Sequence, residues 1–372
     1  MPTKRAPAIP DPRLQTIKNL TPFALFQCDK MGVGRRFYDT VTVKGTFDLK
    51  PGCMELAREQ APVLLADDYW DLETPERSSV KRAGDAVLIK PSTDVILTGS
   101  VHTPAGKALR EWDAAVLIEG RRGKVIDYSV QVTGPRVWRY TSTRGFSLTD
   151  PEPTEEVPIR YELAYGGAYL DPRNASPEGD PKWIVHEPNP SGTGFCDERA
   201  LSPNEPYRAP QWQSRLAPVT SLNHDVPVCG FGPISRPWSS RLRYQGTCDD
   251  AWEQENREAV AKGLPADYPA DFDARYFQCA HPSLIAPEHL AGDEHLALGG
   301  IVAGEARFVT ELPGIAVAAR LLDGSGAWHD ERMPLDTVHI DLDAGAVHLC
   351  FRLTLDQARD ILAAVIYTTE AT

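Results

Sequence analysis

Acidic side chains suited to acid–base chemistry recur in close groups along this chain. The groups are Asp67 with Asp68, Asp249 with Asp250, and Asp267 with Asp271 and Asp273. Two carboxyl groups a few ångströms apart across a sugar ring are what a glycosidase requires. Because spacing along a sequence does not fix distance in space, a hydrolase without a recognisable motif stays an alternative interpretation at this point.

Motifs for other chemistry are not found in the sequence. It contains no GxxxxGK[ST] phosphate-binding loop, no GxGxxG segment between a strand and a helix, and no GxSxG nucleophile. The zinc-binding patterns HExxH and CxxC do not occur either. The stretch from Ser191 to Gly194 follows Asn189-Pro190 with no helix behind it, so it is interpreted as a structural turn. From these patterns we assign no catalytic residue, no metal and no cofactor.

Aromatic residues close to arginines form a second group with functional potential. The chain places Arg136 before Trp138, and Trp238 before Arg241. Tryptophan, tyrosine and arginine dominate the binding energy of protein interfaces. We predict that six aromatic side chains contact a protein partner: Trp138, Tyr165, Trp183, Trp212, Phe231 and Trp238. Core packing, with an arginine stacked on a ring, explains the same pattern about as well.

The stretch from Pro227 to Pro282, named here the hub, is dense in residues that constrain the backbone. Glycine adopts backbone angles closed to other residues, and proline fixes φ and lacks an N–H. Their alternation with large aromatics is typical of an ordered irregular segment, since disordered linkers are poor in aromatics. The residues expected to shape the hub and the loop before it are Gly166, Gly167, Asn189, Pro190, Gly192, Gly194, Gly230, Gly232, Arg241, Gly246 and Trp252.

The segments on either side of the hub have the pattern of β-strands. Alternating polar and apolar residues, rich in β-branched types, predict strands at 36–49, 85–91, 94–104, 114–120 and 124–134, and again from residue 306 onward. Residues 252–262 predict an internal helix that stops at Gly263, and Thr354 to Gln357 open a predicted terminal helix. The predicted fold class is mainly β, with two sandwich- or open-barrel-like lobes joined by a long ordered loop region with few short helices.

These patterns divide the chain into four predicted ranges. Residues 1–22 form an N-terminal lead, and residues 23–150 form the first β-rich lobe. Residues 151–295 form a central loop and helix region, which includes the hub. Residues 296–372 form the second β-rich lobe with the terminal helix. Long loops in compact domains usually have a function, so the loop from Tyr165 to Trp212 is expected to help cover a partner.

Charge and cysteine content argue against several classes of protein. The 372 residues include 39 basic and 52 acidic ones, a net charge of -13 at pH 7, whereas nucleic-acid and membrane binders carry basic faces. No apolar run approaches the roughly 20 residues that span a bilayer, and we see no secretory signal. Seven cysteines without a paired framework suit a reducing compartment. We expect a cytoplasmic protein that binds neither nucleic acid nor membrane, in an oligomeric state that the sequence leaves open.

A series of short blocks runs in order from about Phe37 to Arg352. The blocks are FYDTVTVKGTFDL, DAVLIKPSTDVILTG, VTGPRVW, IRYELAYGG, NPSGTGF, GFGPISRPW, GTCDDAW, PADFDARYFQCA and VHLCFR. In this order they resemble the bacterial domain-of-unknown-function family 2169. Cys248 stands where the family tends to have an aromatic residue, and Cys350-Phe351 replace a more usual Val-Trp. Both departures are interpreted as packing changes.

The resemblance implies a non-catalytic adaptor. Members of that family are encoded beside type VI secretion spike and effector genes and are regarded as effector adaptors or chaperones. The implied partner is a secreted effector, held through a PAAR-like or spike-associated segment and helped onto the secretion apparatus. The family has no established catalytic residues, so none are transferred to this chain. A glycan- or ligand-binding β module remains a second alternative, beside the hydrolase.

Overall fold

β-Strands make up most of the regular structure in the computed structural model, which describes residues 14–104, 106–171, 173, 182–222 and 224–371. In chain order the strands are β1 (Thr16–Asn19), β2 (Ala24–Met31), β3 (Phe37–Asp48), β4 (Glu55–Leu56), β5 (Asp68–Tyr69), β6 (Val80–Arg82), β7 (Asp94–Thr98), β8 (Ser100–His102), β9 (Glu111–Gly120), β10 (Gly123–Thr133), β11 (Val137–Thr141), β12 (Gly145–Leu148), β13 (Glu156–Pro158), β14 (Tyr165–Gly166), β15 (Ala168–Leu170), β16 (Trp183–Val185), β17 (Thr193–Gly194), β18 (Tyr207–Arg208), β19 (Trp212–Gln213), β20 (His295–Gly299), β21 (Arg307–Glu311), β22 (Ile315–Asp323), β23 (Trp328–Met333), β24 (Leu335–Asp341), β25 (Ala346–Asp356) and β26 (Ile361–Glu370). The α-helices of the described residues are α1 (Ser239–Leu242) and α2 (Asp250–Ala261). Short 3-10 helices lie at Val33–Arg35, Pro75–Arg77, Tyr161–Leu163, Glu198–Ala200, Ala274–Phe277, Pro282–Leu284 and Gln357–Arg359.

Three large sheets organise these strands. The six-stranded sheet has the order β2-β3-β25-β24-β7, with β4 added to β3. The five-stranded sheet has the order β19-β10-β9-β20-β21, and the four-stranded sheet has the order β1-β26-β22-β23. Smaller ladders join β12-β11-β18, β13-β8, β14-β17, β15-β16 and β5-β6. The predicted mainly β class is therefore confirmed.

Strands from the two predicted β-rich ranges share the same sheets. Strand β3 pairs with β25 from Tyr38 opposite Asp356 to Asp48 opposite Ala346. Likewise β9 pairs with β20, and β7 runs parallel to β24. One core cluster takes Val43, Ile118 and Val317 from the three large sheets. Residues 23–150 and 296–372 thus fold together around a common core, while the boundaries proposed at 150 and 295 stay a prediction.

The alternation of residue types along a strand follows its position in a sheet. Strand β9 alternates buried and more exposed residues, with Trp112, Ala114, Val116 and Ile118 inside. That pattern is typical of a strand with one face towards solvent. Strand β3 is buried at every position from Asp39 to Phe47, because it is covered on both faces. Polar threonines alternate with apolar residues in β3, so the sequence alone does not show that both faces are covered.

The terminal helix predicted from Thr354 is wrong. Strand β25 continues to Asp356, whose side chain accepts a hydrogen bond of 2.9 Å from the Ala358 N–H. The cap therefore exists, but it starts only a single 3-10 turn. Asp360 then adopts a φ of 55°, and the chain returns as β26. Pairing of β26 with β22 on one side and β1 on the other favours a strand over the local helical signal.

The strand predicted at 85–91 is also wrong. Ala86, Val87 and Leu88 are buried, yet this segment forms no ladder with another strand of the described chain. Instead, the Arg352 guanidinium donates hydrogen bonds to the carbonyl oxygens of Val87 and Asp85, at 3.0 and 2.7 Å. The buried Arg352 side chain thus takes the place that the N–H groups of a neighbouring strand have in a sheet, where they donate to the backbone carbonyl oxygens.

The internal helix is confirmed with a start two residues earlier than predicted. Helix α2 spans Asp250–Ala261, and the Asp249 side chain accepts a hydrogen bond from the Trp252 N–H at its N-terminus. Gly263 follows the helix with a φ of 80°, as expected for a glycine stop. Neither α-helix in the described part of the chain is long and apolar enough to cross a bilayer.

Candidate partner-binding groove

Five of the six aromatic residues predicted to contact a partner lie inside the protein. Trp138, Tyr165, Trp212, Phe231 and Trp238 are between 0 and 3% exposed. Trp212 and Phe231 pack edge to face with ring centroids 5.7 Å apart. Side chains without exposed area do not contact a partner in this structure, so their assignment as surface anchors is corrected. Large aromatic rings bury the most apolar area, which places them in the core.

Phe231 fixes the hub to the scaffold. Its ring lies edge to face with Tyr128, at a centroid distance of 5.6 Å. A Cβ at Gly230 would lie 2.9 Å from the Tyr161 ring, so the chain needs a glycine beside the phenylalanine. The Tyr161 hydroxyl also donates a hydrogen bond of 3.2 Å to the Gly232 carbonyl oxygen. The hub is thus an ordered segment packed on the sheets, as its composition predicts.

Asn189 holds a tight crossing in the loop that precedes the hub. The side chain is fully buried, and its Nδ2 donates to the carbonyl oxygens of Tyr161 and Tyr165 at 2.9 and 3.0 Å. Gly166 lies against it with a φ of 149°, and a Cβ there would come 2.2 Å from the Asn189 carbonyl oxygen. A Cβ at Gly192 would come 2.5 Å from Asn189 Nδ2. Only glycine fits at these two positions.

The other residues expected to shape the backbone lie near these crossings or in the hub. They are Gly167, Pro190 and Gly194 near Asn189, Gly246 against Asp271, and Trp252 on α2. Arg241 lies within α1 and is 5% exposed.

Carboxylates grouped in the hub act as caps and turn acceptors. Asp249 caps α2, and Asp273 accepts from the Arg275 N–H at 2.9 Å to start a 3-10 helix. The two oxygens of Asp271 accept from the N–H and hydroxyl of Thr247, both at 2.8 Å. Across the ranges that the structure describes, no three His, Cys, Asp or Glu side chains group as metal ligands.

Three neighbouring cavities that share lining residues lie along the hub and are together named here the hub groove. The first cavity, of about 450 Å³, shares three lining residues with the second: Ile234, Ser240 and Pro282. The second, of about 270 Å³, shares three with the third, of about 490 Å³: Arg243, Tyr244 and Arg275. Most of the lining comes from two stretches of chain, 225–247 and 271–287. The groove therefore follows the hub from its first residues to its last.

The first cavity gives the groove an apolar end. Val226, Pro227 and Val228 line it together with His281. The His281 Nε2 lies 3.1 Å from the Val228 carbonyl oxygen, and the imidazole stacks on the Tyr128 ring at 4.5 Å. Burial lowers the pKa of His281 to about 4, so the ring is neutral at physiological pH. This end suits an apolar side chain.

Arg241 ties the two stretches of the groove together. Its Nη1 donates to the Ile234 carbonyl oxygen at 2.9 Å. Its Nε and Nη2 donate to the Tyr276 carbonyl oxygen at 3.0 and 2.9 Å. The Ile234 N–H also donates to the Cys279 carbonyl oxygen at 2.7 Å. Buried hydrogen bonds thus set the spacing between the two stretches.

The third cavity gives the groove a polar end. The guanidinium groups of Arg243 and Arg275 both lie over the Tyr244 ring, at 4.7 and 4.4 Å from its centroid. Arg275 is paired with Asp273. Arg243 is exposed, and it forms no ion pair with any residue of the described chain. Its guanidinium is therefore available to an acceptor on a partner.

An exposed apolar face on the β15–β16 ladder adjoins the groove in sequence; it is named here the hairpin face. Its members are Ala168, Leu170, Trp183 and Val185, which pair across the two strands on one side of the ladder. The exposed fractions of Leu170, Trp183 and Val185 are 46%, 44% and 42%. The next residue, His186, lines the apolar end of the groove. Trp183 is thus the one predicted anchor that lies at the surface.

Sequence reasoning missed most residues that line the groove. Val226, Val228 and Ser240 have no distinctive spacing, and loops commonly contain such residues. The available signal was the density of proline and glycine across the whole hub, which marks an ordered segment without showing where its open side lies.

The family described as an uncharacterized protein conserved in bacteria (DUF2169) matches residues 34–352. No match to a curated protein or to a solved structure was found. The blocks from Phe37 to Arg352 fall within the matched range, which covers well over half of the chain. This chain therefore belongs to the DUF2169 family of uncharacterized bacterial proteins.

Proposed function

We propose that this protein is a non-catalytic cytoplasmic adaptor that binds a type VI secretion effector and assists its loading. The effector is held through a PAAR-like or spike-associated segment. Support comes from the gene neighbourhood regarded as typical of the family and from the surface features of the hub.

The observation that carries this proposal is the row of three cavities in the hub groove, in which each cavity shares lining residues with the next. Its cavities run from an apolar end at Val226 to Val228 to a polar end at Arg243. A peptide segment laid in a groove uses apolar anchors for affinity and polar contacts for register. An effector segment in the hub groove places an apolar side chain at the first end and an acceptor opposite Arg243 at the other.

Covering the effector segment also explains a chaperone-like role. Secretion effectors that must join a spike carry exposed apolar surface, and such surface aggregates when left uncovered. The hairpin face precedes His186 of the groove in sequence. The groove and the hairpin face are two apolar surfaces that such a segment could cover.

The first test obstructs the groove. Ser240 lines the junction of the first two cavities, so Ser240→Trp places an indole across it. Ser239→Trp is the matched control on the same helix, because Ser239 does not line the groove. Each variant is co-expressed with the protein products of the neighbouring secretion genes, and the complex is measured by size exclusion and mass spectrometry. We expect Ser240→Trp to abolish a stoichiometric complex that Ser239→Trp retains.

The second test reverses charge at the polar end. Arg243→Glu is expected to weaken effector binding by about 30-fold, which corresponds to the roughly 2 kcal/mol of a strong interface residue. Arg257→Glu, on the exposed surface of α2, is expected to leave binding unchanged. The proposal is wrong if no neighbouring gene product binds the wild-type protein. The groove assignment is wrong if Ser240→Trp and Arg243→Glu, with wild-type thermal unfolding, both keep wild-type affinity.

A further inference from the structure

A fourth cavity, of about 430 Å³, lies apart from the hub groove; it is named here the aromatic cleft. It shares no lining residue with the three cavities of the groove. Trp252, Tyr268, Tyr276 and Phe277 line it. Phe277 packs edge to face with both tyrosines, at 6.4 and 5.8 Å between centroids. Its volume falls in the range of small-molecule sites, and its aromatic walls suit a flat ring.

Two donors that line the cleft have no partner within the described chain. The Lys30 ammonium makes no ion pair or side-chain hydrogen bond there. The Trp252 Nε1 also has no acceptor among the residues described, but it has almost no accessible surface, so a ligand in the cleft does not reach it. The lysine is therefore the donor that a ligand can use.

The other charged groups of the cleft are already paired. Arg236 forms an ion pair with Asp67 at 3.2 Å. The Asp267 Oδ1 accepts from the Gly34 N–H at 3.0 Å, and its Oδ2 lies 3.7 Å from the Arg35 guanidinium. The charge left without a partner is therefore the positive charge of the lysine. The cleft is locally cationic in a chain with a net charge of -13.

We infer that the aromatic cleft binds a small planar organic anion, a carboxylate attached to an aromatic ring. The carboxylate pairs with the Lys30 ammonium, which is the charge of the cleft without a partner among the described residues. The ring packs against Tyr268, Tyr276 and Phe277. This site is independent of the adaptor role, because it uses none of the residues of the hub groove.

The test uses the full-length protein and 4-hydroxybenzoate as the probe. Binding is measured by isothermal titration calorimetry and by ligand-observed NMR, with the neutral analogue 4-hydroxybenzamide alongside. We expect the acid to bind at least about tenfold more tightly than the amide, because a hydrogen bond to a charged group contributes more than a neutral one. Lys30→Gln is expected to remove that preference. Lys107→Gln, at an exposed lysine outside the cleft, is expected to keep it.

A second variant tests the aromatic wall. Tyr268→Ala removes one lining ring, so the affinities for the acid and for the amide are both expected to fall several-fold, while the preference for the acid remains. Thermal unfolding of each variant shows that the fold is intact. The inference is overturned if the acid does not bind, if the acid and the amide bind equally, or if Lys30→Gln and Lys107→Gln have the same affinity.

Discussion

Replacing Arg241 with alanine is expected to destabilise the hub more than any surface change. The side chain is 5% exposed and donates to two carbonyl oxygens, those of Ile234 and Tyr276. A hydrogen bond from a charged group contributes about 1.5–3 kcal/mol, and a buried acceptor left unpaired costs a similar amount. For two carbonyls we expect the free energy of unfolding to fall by about 3–6 kcal/mol. That is a large share of the roughly 5–15 kcal/mol that stabilises an ordinary domain.

The assay for this prediction is urea unfolding followed by tryptophan fluorescence. Arg241→Lys keeps the charge but lacks the planar fork that reaches both carbonyls, so an intermediate loss is expected. Arg243→Ala is the control, since Arg243 is exposed two residues away and its change is expected to stay within about 0.5 kcal/mol. A loss below about 1 kcal/mol for Arg241→Ala would show that the two stretches of the groove hold together without these bonds.

Three further outcomes follow from single contacts. Gly166→Ala should lower the free energy of unfolding by more than about 2 kcal/mol, because its Cβ would meet the Asn189 carbonyl oxygen at 2.2 Å. Gly345→Ala is the control and should lose less stability, since a Cβ there meets nothing within 4 Å. Thermal unfolding compares the two variants. Burial lowers the pKa of His281 to about 4, so its neutral form stabilises the fold above the unfolded pKa of about 6.5, and up to about 3 kcal/mol of that stability is lost as pH falls towards 4. The free energy of unfolding, measured by denaturant titrations between pH 7 and pH 4, should depend less on pH in His281→Gln than in the wild-type protein. An equal pH dependence in the two proteins would contradict the lowered pKa of His281. Trp183→Ala should reduce effector binding in a pull-down but change the free energy of unfolding by no more than about 1 kcal/mol, because the ring is 44% exposed.

Strand positions were predictable because alternation and turn residues are local signals. The hairpin of β9 and β10 closes where Arg121 to Gly123 predict a turn, and the Asp343 to Gly345 turn joins β24 to β25. Which strands pair was not predictable. Asp39 lies opposite Leu355, and no local pattern relates residues so far apart in the chain. The sequence therefore indicates the strands, while the sheets depend on packing across the whole chain.

The two errors in secondary structure have one physical cause. At 85–91 the Arg352 guanidinium replaces a neighbouring strand as the partner of the backbone carbonyls. After Asp356 the neighbouring strands outweigh a real helix cap. In both places a contact with residues distant in sequence determines the conformation. Local secondary-structure propensity carries no information about such a contact.

The candidate site likewise has features that the sequence predicts and features that depend on packing across the chain. The need for glycine at Gly166 and Gly192 follows from the backbone crossing at Asn189, where a Cβ has no room. The exposure of an aromatic ring depends on what covers it, so Trp212 and Trp183 look alike in sequence although one is 1% and the other 44% exposed. The packing interpretation, which the sequence left open beside the interface one, accounts for five of the six predicted anchors.

Burial of five of the six predicted anchors affects how the hub would serve as the proposed binding surface. Phe231 and Arg241 hold the hub from beneath, through ring packing and hydrogen bonds that are closed to solvent. In the proposed adaptor role, the groove above them is formed before a partner arrives, so binding does not have to order a loop, and this lowers the entropic cost of binding. It follows that substitutions of buried hub residues lower stability and binding together, whereas substitutions at Ser240 or Arg243 lower binding alone. Separation of these two effects in one set of variants distinguishes a preformed docking groove from a segment that folds on its partner.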